Sequence, residues 1–159
     1  MEPDIVTLGP KVLVGMRKKM SMSKNTTADL WRSFMPKRKL VEKKKSGKYY
    51  SMQVYPEGEK EIFSPETLFE KWAAVEVSAK GTVPECMEVY NLRGGKYAVF
   101  IHNGPASTFP KTMQYIMNRW LPESEYELDN REFFEVLPES YDPQDTEAKE
   151  EVWIPVRNR

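Results

Sequence analysis

Apolar residues recur along the chain in two ways, as short runs with strand character and as two stretches with a helical period. Residues 11–16 hold Val12, Leu13 and Val14, a run too brief for a helix and suited to a strand, and Lys18 and Lys19 mark its exit to solvent. Thr26 with Asp29 three residues on resembles a capping box. Leu30, Trp31, Phe34 and Met35 then fall on one face, so the spacing predicts a helix over 27–39, ending or fraying around Pro36. A basic turn over 37–45 and Gly47 lead into a tyrosine-rich strand over 48–55, and a polar loop over 56–65 precedes another over 69–78. On this last strand Trp72, Ala74 and Glu76 share one face, and Ala73, Val75 and Val77 the other.

Past Gly81 and Pro84, residues 87–92 and 96–102 alternate on either side of Arg93-Gly94-Gly95, and the paired glycines predict a tight hairpin. Ser107 is placed to cap a helix with Pro110 in its first turn. Phe109, Met113, Ile116, Met117, Trp120 and Leu121 then form the clearest amphipathic stripe in the chain, over 107–121. Strands over 133–137 and 150–156 follow, separated by an acidic segment containing Pro138 and Pro143. Both halves thus read β-α-β-β, and Phe34-Met35-Pro36 is echoed by Trp120-Leu121-Pro122 at the same place in the second half. Neither half is large enough to bury much surface alone. The expectation is an α+β fold: a tandem β-α-β-β repeat with pseudo-twofold symmetry, antiparallel sheets, helices outside and a central groove where a small molecule would bind. Residues 1–10 are expected to be a tail and 11–159 one domain, with halves over about 11–80 and 85–156.

Composition narrows the function classes. The 159 residues balance 24 Lys and Arg against 24 Asp and Glu, so no overall positive field draws the protein to nucleic acid or an anionic membrane. Cys86 and His102 are the sole representatives of their types, which excludes an internal disulfide framework, a Cys-rich zinc site and Cys–His nucleophile chemistry; no metal or cofactor is expected. A reducing cytoplasm suits such a chain, and no run approaches a signal-peptide core or the roughly 18 apolar residues of a membrane span.

The order of short motifs then becomes informative. Tyr97-Ala98-Val99-Phe100, His102-Asn103-Gly104, Trp120-Leu121-Pro122, Phe134-Glu135 and Ile154-Pro155-Val156 occur in sequence. In the first half, Trp72-Ala73-Ala74-Val75-Glu76-Val77 matches more loosely, with Ala74 at a glycine position. With these motifs the chain resembles the GyrI-like small-molecule-binding domain, known also as the effector-binding domain of AraC-type and MerR-type multidrug regulators. The resemblance covers about residues 10–156. It implies a groove with one acid among aromatics that takes bulky hydrophobic or cationic molecules. Family members also include hydrolases that open cyclopropane rings in genotoxic compounds and a gyrase-interacting protein. About ten residues before the first strand leave no room for a helix-turn-helix, so a stand-alone binding protein without direct DNA contact is expected.

Glu135 is the candidate acid, on a strand face shared with Phe133 and Leu137; that face is either an ordinary solvent surface or, as the resemblance implies, the groove. Glu76 is either a second site acid or an edge-strand charge. Tyr55, Trp72, Tyr90, Trp120 and Phe133 are the candidate ligand-contacting aromatics, with core packing the alternative for Trp120 in particular. His102 is expected to make a structural hydrogen bond. Three functions stay open: small-molecule capture with Glu135 setting charge preference, ring-opening hydrolysis with Glu135 as base and a tyrosine as acid, and inhibition of a partner such as gyrase through the acidic segment 123–145. A monomer is expected.

Overall fold

The computed structural model describes residues 1–79 and 81–159. Among these, the strands are β1 (Asp4–Leu8), β2 (Lys11–Met20), β3 (Tyr49–Val54), β4 (Phe69–Val77), β5 (Glu88–Leu92), β6 (Gly95–Asn103), β7 (Tyr126–Leu128), β8 (Phe133–Leu137) and β9 (Lys149–Asn158). Helix α1 (Thr27–Phe34) tightens into a 3-10 segment, Met35–Leu40, and α2 (Phe109–Tyr115) widens through a π turn, Ile116–Trp120, into Leu121–Glu123. Pro36 and Pro122 each sit where the winding changes within a continuous helical run, and their missing N–H and ring remove a bond to the preceding turn there. The expected capping box does not form: the Thr26 hydroxyl makes no cap bond, and the Asn25 side chain instead accepts from the Thr27 N–H at 2.9 Å.

All strand pairs are antiparallel, in the order β1-β6-β9-β8-β3-β4-β2-β5, with β7 added beside β9. The order is a palindrome about the β8–β3 junction: β6, α2, β8 and β9 of the second half mirror β2, α1, β3 and β4 of the first. Each half also owns a leading strand, and the two are exchanged. β1 pairs with β6 of the second half, and β5 pairs with β2 of the first. This corrects two expectations. Residues 4–8 are an edge strand rather than tail, and β5 and β6 form no hairpin although Gly94 and Gly95 do take positive φ of 86° and 129°. The chain passes Arg93-Gly94 with neither a turn nor a bend, and β5 and β6 run in the same sense within the antiparallel order, toward opposite ends of the sheet.

Both helices pack on one sheet face. Leu30 and Phe34 of α1 bury against Val14, Ala73, Val75 and Val77, while Ile116 and Met113 of the second helical segment cover Ala98, Phe100, Val152, Ile154 and Val156. The opposite face curls on itself. Leu13 and Leu92 from one end of the strand order share a single buried cluster with Tyr97 from the other, around Tyr50, Met52, Trp72 and Phe134. The sheet is therefore open along its edges but deeply concave, with an aromatic interior and helices on the outer, convex side.

Candidate functional site

The seam between the two helices crosses the middle of the convex face, and strand alternation places the candidate acid on it. Phe133 belongs to the cluster under α2, and Leu137 packs against the cluster under α1. Glu135, between them on β8, falls where neither helix covers the sheet and is half-buried. On neighbouring β3 the same division holds, with Tyr49 under α1, Tyr55 against the α2 cluster, and Ser51 and Gln53 between. Ser51 pairs directly with Glu135, and Gln53 pairs with Lys71 of β4 on one side and Phe133 on the other. Glu150 of β9 completes a polar row. Lys71, Ser51 and Glu150 are all buried, and the Gln53 Oε1 is buried without a partner among the described residues.

One end of the seam is walled by rings. Tyr55 lies 5.7 Å from Phe133 and 5.4 Å from Phe69, and the half-exposed Phe63 of the loop after β3 meets Phe133 edge-on at 6.2 Å. Burial pushes the Glu135 carboxyl up to about 7, with Glu150 adding to the rise and the Lys71 ammonium opposing it. Burial likewise lowers Lys71, against the pull of Glu135 and Glu150. Glu150 is raised by burial and held back by a hydrogen bond from Tyr141 and by Lys71. Tyr55 is pushed up to about 12 by burial and by the charge of Glu135. Near neutral pH Glu135 thus exists in both forms. It is able to hold a cation or to exchange a proton, with the phenols of Tyr55 and Tyr141 remaining donors.

The other expected residues lie elsewhere. Trp72 and Tyr90 are on the concave face, 5.2 Å apart and buried or half-buried inside the curl, separated from Glu135 by the sheet itself. Glu76 is also on that side and is buried rather than on an edge strand. It accepts from Lys11 at 3.2 Å and from the Tyr50 hydroxyl at 3.3 Å, with Lys45 at 3.7 Å. Trp120 caps Phe100 edge-on and stacks on Tyr126 in the α2 cluster. Of the aromatics expected in the groove, the fold brings Tyr55 and Phe133 to Glu135. Lys71, Glu150 and Tyr141 join it without having been singled out by sequence. A lone charge on the otherwise apolar Ala73-Val75-Val77 face of β4 was the available signal for Lys71. His102 is buried, its Nδ1 2.6 Å from the Thr112 hydroxyl and its Nε2 3.2 Å from the Pro105 carbonyl, which anchors α2. Among the described residues no group of His, Cys, Asp and Glu is arranged to hold a metal ion, and no helix is long and apolar enough to cross a membrane.

No curated protein sequence matches the chain. Its fold is similar to that of SAV2435 bound to tetraphenylphosphonium, with a TM-score of 0.76 at 17% identity over 99% of this chain and 94% of that one. The C-terminal domain of EcmrR superposes with a TM-score of 0.70 at 13% identity over 99% and 98%. In the EcmrR–DNA complex the matched part is 58% of the EcmrR chain. A hydrolase encoded by lin2189 from Listeria innocua gives 0.59 at 12% identity over 98% and 92%. The profile of the GyrI-like small molecule binding domain matches residues 1–157, β1 included, and the chain belongs to that family.

Proposed function

We propose that the seam around Glu135 captures bulky hydrophobic molecules, with a preference for those carrying a positive charge. The observation that carries this reading is a half-buried carboxylate, set between two helix-packed apolar clusters and beside the rings of Tyr55 and Phe133, whose charge is poorly solvated. A bound cation relieves that penalty, and ring faces supply sequence-tolerant contact with large apolar bodies. SAV2435, of similar fold, binds such a cation, which supports the reading without fixing the ligand here. Glu135→Gln keeps shape and removes charge. Calorimetric titration with tetraphenylphosphonium is expected to show a loss of about 1 to 3 kcal/mol, and an uncharged tetraphenyl analogue almost none. Equal loss for both ligands, or none for either, rejects the reading.

A second reading is favoured by the two phenols at Glu135. The Glu135 carboxylate would take a proton from water as the oxygen attacks a strained ring carbon, while Tyr55 or Tyr141 protonates the departing group. In that case Glu135→Gln leaves binding nearly intact and lowers turnover of a cyclopropane-bearing compound by about two to four orders of magnitude.

A further inference from the structure

The same seam contains its own cation, and this distinguishes it from a bare acidic pocket. Lys71 extends from β4 on the helix-facing side and is 5% exposed. It pairs across the sheet with Gln53 of β3, two residues from Ser51, whose partner on β8 is Glu135, so Lys71 and Glu135 face one seam from strands on either side of β3, and Glu135 and Glu150 both favour the charge of the ammonium. The remaining titratable groups facing the cluster are Tyr141, from the segment before β9, and Tyr55, at the end of β3. An ammonium on a side chain this deeply buried is poorly solvated, and its charge depends on those negative neighbours.

We propose that Lys71 is a resident counter-ion that sets the charge selectivity of the Glu135 site, competing with cationic ligands and surrendering its proton when one binds. The inference rests on the reading of Glu135 given above. A permanent cation seated at Glu135 neutralises one of the two charges that hold the ammonium and adds a repulsion of its own. The least costly response is cleavage of one Nζ–H bond: the proton leaves to solvent, and the electron pair stays on nitrogen as a neutral amine that the apolar surroundings accept. An uncharged ligand imposes no such step. Lys71 thereby selects against cations that bind too weakly to expel its proton.

The test titrates tetraphenylphosphonium, which has no proton of its own, into wild type, Lys71→Met, Lys71→Arg and Glu135→Gln between about pH 6 and 10, in buffers of differing ionisation enthalpy. Wild type is expected to release protons in two steps, one from Glu135 near neutrality and one from Lys71 at higher pH. Lys71→Met, which retains the length of the side chain, is expected to show only the first step and to bind roughly tenfold or more tightly. Lys71→Arg, unable to lose its proton, is expected to bind more weakly than wild type at every pH. In the ligand-free protein, carbon-detected NMR is expected to show the Glu135 carboxyl titrating at higher pH in Lys71→Met than in wild type. If Lys71→Met matches wild type in affinity and proton release while Glu135→Gln loses the cation, the counter-ion role falls and the Glu135 site stands. If Glu135→Gln binds as well as wild type, or no variant binds, the site reading falls and the inference with it.

Discussion

The Tyr90 hydroxyl donates a 2.6 Å hydrogen bond to Glu132 Oε2, joining the outermost strand β5 to the residue that leads into the central strand β8. Four strand spacings separate these elements along the sheet, roughly 19 Å if it were flat, so the contact records how far the concave face has closed. Glu132 is 4% exposed, and its other oxygen has no partner among the described residues. Tyr90→Phe therefore leaves a buried carboxylate with neither oxygen satisfied at this end. The expected cost is about 1 to 3 kcal/mol, read as a lower urea midpoint with unchanged slope. A midpoint equal to wild type would mean that ring packing alone holds the curl.

The Glu135 carboxyl has a folded-state value raised to about 7 by burial. Its unfolded value is near 4.3, so the unfolded chain gives up this proton first on alkalinisation. The stabilisation from the protonated group is full below about pH 4 and is lost as pH rises through 7. Relative to Glu135→Gln, wild type is expected to lose on the order of 3 kcal/mol between about pH 4 and pH 8. Denaturation curves for the pair across that window check it, and a constant difference would place the carboxyl in ordinary solvent.

Gly94 has φ of 86°, and a Cβ there would collide with the backbone carbonyls of Leu8 and Gly9. The β1–β2 and β5–β6 connections thus touch where the leading strands cross between halves. Gly94→Ala is expected to destabilise by about 2 to 4 kcal/mol. Gly58 supplies the control: its φ of 79° carries similar strain, but nothing lies within 4 Å of an added Cβ. Gly58→Ala is expected to cost about 1 kcal/mol, and equal losses at both sites would show that contact between the connections is immaterial.

Arg131 ties together the same end of the molecule. Its guanidinium donates to the carbonyls of Gly94 at 3.2 Å, Lys96 at 2.5 Å and Val156 at 3.2 Å, pairs with Asp129 at 2.7 Å and lies 4.7 Å over the Tyr97 ring. A lysine cannot reproduce this planar fork. Arg131→Lys is expected to lose about 2 to 4 kcal/mol, nearly as much as Arg131→Met, by chemical denaturation. Recovery of most of the stability by lysine would show that charge, not fork geometry, is what matters.

Local periodicity makes the tandem arrangement and the placement of Glu135 between Phe133 and Leu137 legible in the sequence alone. What it could not supply was pairing. Gly94 and Gly95 take the positive φ that the pair suggests, yet no turn forms there, because which strands lie beside β5 and β6 depends on contacts with residues 4–19 and 149–158, far away in sequence. The same gap misplaced Trp72 and Tyr90. Alternation says that Trp72 and Glu76 share a face of β4, yet only the register across β3 and β8 reveals that this face is opposite to that of Glu135. The role of Lys71 is hidden in the sequence for a related reason. A lysine in an apolar strand reads as a solvent-facing charge until the neighbouring strands show that nothing but the seam lies above it.

The exchange of leading strands has a consequence for vectorial synthesis. β1 leaves the ribosome well before its partner β6, which spans Gly95–Asn103. At roughly 5 to 20 residues per second, the first half waits on the order of 10 s with Asp4–Leu8 unpaired and with the β2 edge, later covered by β5, open to other chains. Neither half presents finished edges to its surroundings until the other exists. The nascent chain thus passes through a window in which both of these edges are open to strand addition.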